Sequence, residues 1–245
     1  MKFKTVQASA LKSAFEVLKD ILNDINVYFD EGGIRITTLD TARTALVDFK
    51  LLADNFEEYE CKEPVVAGIN VANTFKLLKT ISNNDILIFE ITNKENMNIK
   101  IENSNKKTST SFQLKLLDIN EDFIEVPHVP VSVTTIMSSV DFQRICRDMN
   151  NIGQEIQISR CDTRLTIGCE GDFANQETTI NCTEKFSGHI HGIYSLKYLN
   201  LFTKATSMCS TVQIVQEEQN RFLTLKYNVA NLGEMNFYMA TKVTE

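Results

Sequence analysis

The sequence predicts an α+β fold of two similar halves, each made of antiparallel sheets carrying two helices. Three observations predict it. Period-two hydrophobic alternation runs through most of the 245 residues, four segments break it with a helical period, and the starts of those segments form two pairs. In VDFKL, Val47, Phe49 and Leu51 face one way and Asp48 and Lys50 the other; Phe112, Leu114 and Leu116 repeat the pattern in SFQLKL. Gly32-Gly33 reads as a turn before the strand IRITT. The alternation recurs in EIQIS, RLTIGC, STVQIV, FLTLKYNV and MNFYMA.

The helical segments are 9–22, 71–81, 140–152 and 195–205. Each carries an apolar stripe, such as Leu11, Ala14, Phe15, Leu18 and Leu22 in the first. Ser9, Asn73 and Ser195 are the expected N-caps, since their side-chain oxygens can accept the orphan amides of a first turn. Starts at 9 and 71, then at 140 and 195, read as a duplicated unit. Between the halves, residues 116–132 are acidic and hold two of the three prolines, as an extended connector would. The expected division is therefore 1–117, a connector at 118–133, and 134–245.

Composition narrows the class. With 43% hydrophobic residues, three prolines, nine glycines and no low-complexity tract, the chain reads as ordered and globular. MKFKTVQASALK lacks the apolar core of a signal peptide and no run of 18 apolar residues occurs, so neither secretion nor a membrane span is expected. Six cysteines without a CxxC pair read as small core residues in a reducing compartment. A net charge of −7 argues against a generally basic nucleic-acid coat.

Distribution of charge says more than its total. In FQRICRDMNNIG, Phe142, Ile145, Cys146, Met149 and Ile152 share one helix face while Arg144, Arg147 and Asn151 occupy the other. Lys12 with Lys19, Lys76 with Lys79, and Lys197 with Lys204 recur opposite the core in the other three segments. A solvated outer face explains one such helix. Four alike, together holding eight basic and four acidic residues in a chain this acidic, point to a shared positive track. Its natural ligand is a polyanion gripped through phosphates without reading sequence.

FQRICRDMNNIG, SLKYLNLFTKATSMCSTV and LKYNVANLGEMNFYMATK closely resemble the proliferating cell nuclear antigen family of sliding DNA clamps. The similarity extends through ALKSAFEVLKD, LDTARTALV and YECKEPVVAGINVANTFKLLKTISNND to essentially the whole chain. The resemblance implies the DNA clamp fold assembled into a closed ring: a homotrimer with helices lining the hole, around double-stranded DNA. It places Lys12, Lys19, Lys76, Lys79, Arg144, Arg147, Lys197 and Lys204 on that lining. Ser13 and Asn151 stand where relatives commonly carry further basic groups.

The resemblance also implies a pocket for short glutamine/aromatic motifs of DNA polymerase, clamp loader, flap endonuclease and DNA ligase. Its lining would be Leu39, Arg43, Thr44, Leu46, Ile124, Val126, Pro127, Phe222, Tyr238 and Ala240. Thr241 replaces a usual proline and Arg43 a usual histidine. Ring closure would pair edge strands near 106–115 and 172–181. Asp162 replaces a lysine that many relatives modify. No cofactor and no membrane partner are implied, and the expected location is the nucleus or a viral replication factory. A subunit of a heterotrimeric checkpoint-type or viral transcription clamp is the alternative.

An enzyme is not expected, because no constellation of acid, base, nucleophile or metal ligands emerges. The nearest candidate is His189 and His191 of HIHG with Cys182, which lacks further ligands at zinc spacing. Gly32-Gly33 has no helix after it and is no phosphate loop.

Overall fold

The computed structural model describes residues 1–103, 105–121, 123–126, 133–217, 219 and 221–242. The chain forms two compact units: Met1–Thr41, Val47–Glu125 and Asn228–Met235 make unit 1; Ala42–Leu46, Val126–Tyr227 and Asn236–Glu245 make unit 2. In chain order the elements are β1 (Lys2–Thr5), α1 (Ala8–Leu18), β2 (Asp24–Asp30), β3 (Gly33–Leu39), β4 (Ala45–Leu52), β5 (Glu58–Glu60), β6 (Val65–Asn70), α2 (Val71–Leu78), β7 (Ile86–Ile91), β8 (Asn96–Asn103) and β9 (Thr108–Lys115). They continue with β10 (Val133–Ser138), α3 (Ser139–Met149), β11 (Glu155–Glu170), β12 (Asn175–Ser195), α4 (Leu196–Phe202), β13 (Thr211–Gln216), β14 (Phe222–Val229) and β15 (Gly233–Ala240).

In unit 1 an antiparallel sheet runs β5-β1-β7-β8-β9, and β2 pairs with β3 on one side and β6 on the other. Alternate residues of these strands meet the buried stripe of α1, namely Leu11, Ala14, Phe15 and Leu18. Phe3 stacks on Phe89 with centroids 4.7 Å apart and tilts against Phe56 at 4.9 Å. Each such buried side chain contributes roughly 1.5–3 kcal/mol. The helices are shorter than the periodicity predicts. α1 ends at Leu18, yet Ile21 and Leu22 stay buried in the turns that follow, and their amides return to the Leu18 carbonyl. Burial beyond the helix end is what prolongs the stripe. The caps also differ: Asn70 and Ser138, rather than Asn73, accept the first-turn amides of α2 and α3, while Gln7 before α1 and Ser195 before α4 make no side-chain cap bond.

The start of the connector is seated on unit 1. Leu117 bridges Gly68 of β6, and the Asn26 amide donates to the Ile119 carbonyl at 3.1 Å. Glycine is required at 68, because a Cβ there would lie 2.2 Å from the Leu117 carbonyl oxygen. Gly68→Val is therefore expected to unseat Leu117–Ile119, detected as faster amide exchange in that segment and a lower melting temperature. Retention of wild-type protection would show that the seat is not needed.

In unit 2 the sheet order is β10-β13-β14-β15, and β11 and β12 form a long two-stranded ribbon. EIQIS and RLTIGC, which read as two strands, are one strand broken in register at Cys161–Arg164. The cause is Arg160, only 1% exposed. Its guanidinium donates to the carbonyls of Asp162, of Arg164 at 3.3 Å, and of Glu184 at 2.5 Å, holding the bulge and the positive φ of Asp162. Of the cysteines expected in the core, only Cys146 and Cys169 are buried; Cys61, Cys182 and Cys209 are half-buried and Cys161 is exposed. Cys61 and Cys209 lie outside the helices and strands, whereas Cys161 and Cys182 lie within β11 and β12 at positions the two-stranded ribbon leaves uncovered.

Burial pushes Tyr227 far above an ordinary phenol, and it pushes Tyr194 up to about 12. An unfolded tyrosine ionises near pH 10, so stability present below that pH falls as the pH rises from there through the folded values. Among the described residues the Tyr227 hydroxyl has no hydrogen-bond partner. Tyr227→Phe should therefore raise stability by about 1 kcal/mol at neutral pH and by more at alkaline pH, read from urea melts. A destabilised variant would show that the hydroxyl is satisfied.

Candidate nucleic-acid interface

Each unit packs its two helices side by side. In unit 1 the Lys12 ammonium donates to the Ile81 carbonyl beyond α2 at 2.8 Å, and Lys19, capping α1, lies 5.1 Å from the Phe75 ring centroid on α2. In unit 2 the Gln143 amide donates to the Thr203 carbonyl at 2.8 Å, and the Thr206 hydroxyl donates to the Ser139 carbonyl. The four predicted basic residues of each unit thus stand on one helix pair.

Their availability differs. Lys76 and Lys79 are exposed, Lys76 donating to the Asn73 side chain at 3.0 Å. Lys197 is exposed beside the Tyr198 ring, and exposed Lys204 sits in the 3-10 turn Thr203–Ser207 after α4. Lys12 is half-buried, and Lys19 is paired with Asp20 at 3.0 Å. On α3, Arg144 meets Asp141 at 3.0 Å and the Arg147 Nε lies 3.7 Å from Asp148. Ser13 is half-buried and Asn151 exposed.

The predicted docking residues divide between the units. Leu39, ending β3, and Ile124 belong to unit 1, and both are half-buried. In unit 2, Arg43 and Thr44 are exposed, Arg43 at a φ of 56°; Leu46 is 6% exposed; Val126, Phe222 and Tyr238 are half-buried; Ala240 is exposed. Pro127 lies outside the described residues. A neighbouring apolar feature of unit 1 escaped the sequence reading. Phe123, 47% exposed, stands edge-on to Tyr28 at 5.3 Å, and Val66, 55% exposed, is opposite Tyr28 in the β2–β6 register. Its signal was the outward parity of Tyr28 in β2.

Both proposed edge segments are strands over most of their length. β9 ends the five-stranded sheet with an almost wholly exposed face, whereas Lys106 and Lys107 fall in the turn before it. β12 begins at Asn175, and the preceding turn carries Phe173 at 78% exposure. His189 and His191 share the exposed side of β12, where His191 Nδ1 is 2.7 Å from the Ser159 hydroxyl. Among the described residues no group of three His, Cys, Asp or Glu side chains is placed to hold a metal ion. No described helix is long and apolar enough to cross a membrane.

Two α+β units with a helix pair apiece, basic on their exposed sides, define the class of the sliding clamps. Family models for proliferating cell nuclear antigen match throughout, its N-terminal domain over residues 1–124 and its C-terminal domain over residues 125–242. The chain is 36% identical over 251 residues to the probable DNA polymerase sliding clamp 1 of Paramecium bursaria Chlorella virus 1, an alignment covering 97% of this chain and 95% of that one. The chain belongs to the proliferating cell nuclear antigen family of DNA sliding clamps.

Proposed function

We propose that three copies of the chain close a ring around duplex DNA and serve as a processivity factor for DNA polymerase. The helix pairs α1–α2 and α3–α4 line the hole. The observation that carries this reading is the presentation of Lys76, Lys79, Arg144, Arg147, Lys197 and Lys204 on exposed helix surfaces of a protein with net charge −7. Screened contacts between these cations and phosphates hold the duplex without fixing a register, so the ring slides. Topology supplies retention and no catalytic step is needed. Closure pairs the exposed edge of β9 with a neighbour's strand beginning near Asn175. The place of work is the nucleus or a viral replication site.

Light scattering of the pure protein tests the assembly. A mass of three times 27.8 kDa is expected, and a persistent monomer would instead favour a heterotrimeric clamp of checkpoint or transcription type. Polymerase, clamp loader, flap endonuclease and ligase dock through glutamine/aromatic motifs on the residues around Ile124, Val126 and Tyr238. Their half-burial supports this, because partly exposed apolar side chains gain most from being covered. Ile124→Ala with Tyr238→Ala is expected to weaken such a peptide at least tenfold in calorimetry, about 1.4 kcal/mol, without changing ring mass. Unchanged peptide affinity would refute the pocket.

A further inference from the structure

Among the described residues, β9 pairs only with β8 and β12 only with β11, so each strand leaves one edge open. The two open edges are opposite in charge. Residues 105–117, the turn before β9 and the strand itself, hold Lys106, Lys107 and Lys115 and no acid. Residues 170–183, the turn before β12 and its first half, hold Glu170, Asp172 and Glu177 and no base; Glu184 and Lys185, next along the strand, offset each other. All six side chains are exposed, and among the described residues none of them is in an ion pair.

We infer that these charges decide how copies of the chain join: they admit β9 of one copy onto β12 of a second copy and disfavour both pairings of like edges. This rests on the ring proposed above. The open edge of a strand is a template for any other open edge, so backbone groups alone do not tell β9 of a second copy from its β12. Charge does. At a strand spacing of about 5 Å, β9 on β9 would crowd the three lysines of each copy together, and β12 on β12 the three carboxylates of each. β9 on β12 sets three cations against three anions. Exposed ion pairs are individually weak, so the selection comes from their sum and from the repulsion in the wrong pairings. The consequence is geometric. Pairing an edge with its own copy is two-fold and stops at a dimer, whereas pairing unlike edges is head-to-tail and continues until a ring closes. Phe173, 78% exposed beside Asp172, is covered by the same contact and adds apolar area to it.

Light scattering of the full-length protein over a range of concentration and salt tests the sorting. Lys106→Glu, Lys107→Glu and Lys115→Glu together should raise the concentration of half-assembly at least about tenfold, and so should Glu170→Lys, Asp172→Lys and Glu177→Lys together. Each of these variants carries like charge on both edges and is expected to be monomeric alone. An equimolar mixture of the two should regain association, and a chain carrying all six changes should regain the trimer. A strand merely damaged by substitution would be repaired by neither. Wild-type assembly should weaken about threefold or more between about 0.1 and 1 M salt, as the Debye length falls from about 10 to 3 Å. The sorting is overturned if the two triple variants form trimers as tight as wild type, or if the mixture and the six-change chain both stay monomeric. Triple variants that remain trimeric leave the ring standing without the sorting, whereas a wild-type chain that is monomeric throughout overturns the ring and the sorting with it.

Discussion

Reversing Lys76, Lys79, Arg147 and Lys204 to glutamate should abolish polymerase stimulation while light scattering still returns a trimer. Each reversal alters the local charge by two units on an exposed helix surface. The substitutions leave the buried stripes of α2, α3 and α4 untouched, so folding should survive. Phosphate neutralisation makes affinity fall steeply with each lost contact, by nearly one unit of the salt slope apiece. Replacing attraction by repulsion exceeds simple loss, because the duplex must still pass through the hole for the polymerase to benefit. Stimulation at the wild-type level by an intact trimer would count decisively against the helix surfaces as the DNA contact.

Arg160→Met is expected to destabilise unit 2 by at least about 3 kcal/mol, the second-largest effect. Among the described residues no carboxylate pairs with the buried guanidinium, and its charge is met by carbonyl dipoles of Asp162, Arg164 and Glu184. Removing the donor strands those carbonyls at the register break, each at a desolvation cost of about 1–3 kcal/mol, partly offset by water entering from the open bulge. Lysine in its place keeps the charge but loses the planar fork, so Arg160→Lys should recover only part of the loss. Urea melts settle the matter. A methionine variant as stable as wild type would mean that the ribbon holds its bulge without the cation.

Most of the β structure was legible in the residues, because a strand with one buried face writes a period of two directly into the sequence. The four helices were legible for the same reason at their own period, although their ends were not. Ile21 and Leu22 continue the apolar stripe of α1 in non-helical turns, and periodicity records burial rather than backbone geometry. Asn70 was passed over as a cap in favour of Asn73, since both have suitable side chains and only the backbone angles at position 70 decide. The basic positions were legible in the sequence, but their pairing with Asp20, Asp141 and Asp148 was not, except that the spacing of three from Asp141 to Arg144 along a helix predicts that one pair.

Local periodicity and charge placement by themselves determined the α+β class, the duplicated halves and the eight cationic positions, because each depends on near neighbours in the chain. The bulge at Arg160, the seat of Leu117 on Gly68, the solitary burial of Cys146 and Cys169, and the exposed pairing of Phe123 with Tyr28 were decided by tertiary structure alone. Each depends on which distant backbone arrives opposite a given side chain. That follows from strand register and close packing, to which spacing along the sequence is blind.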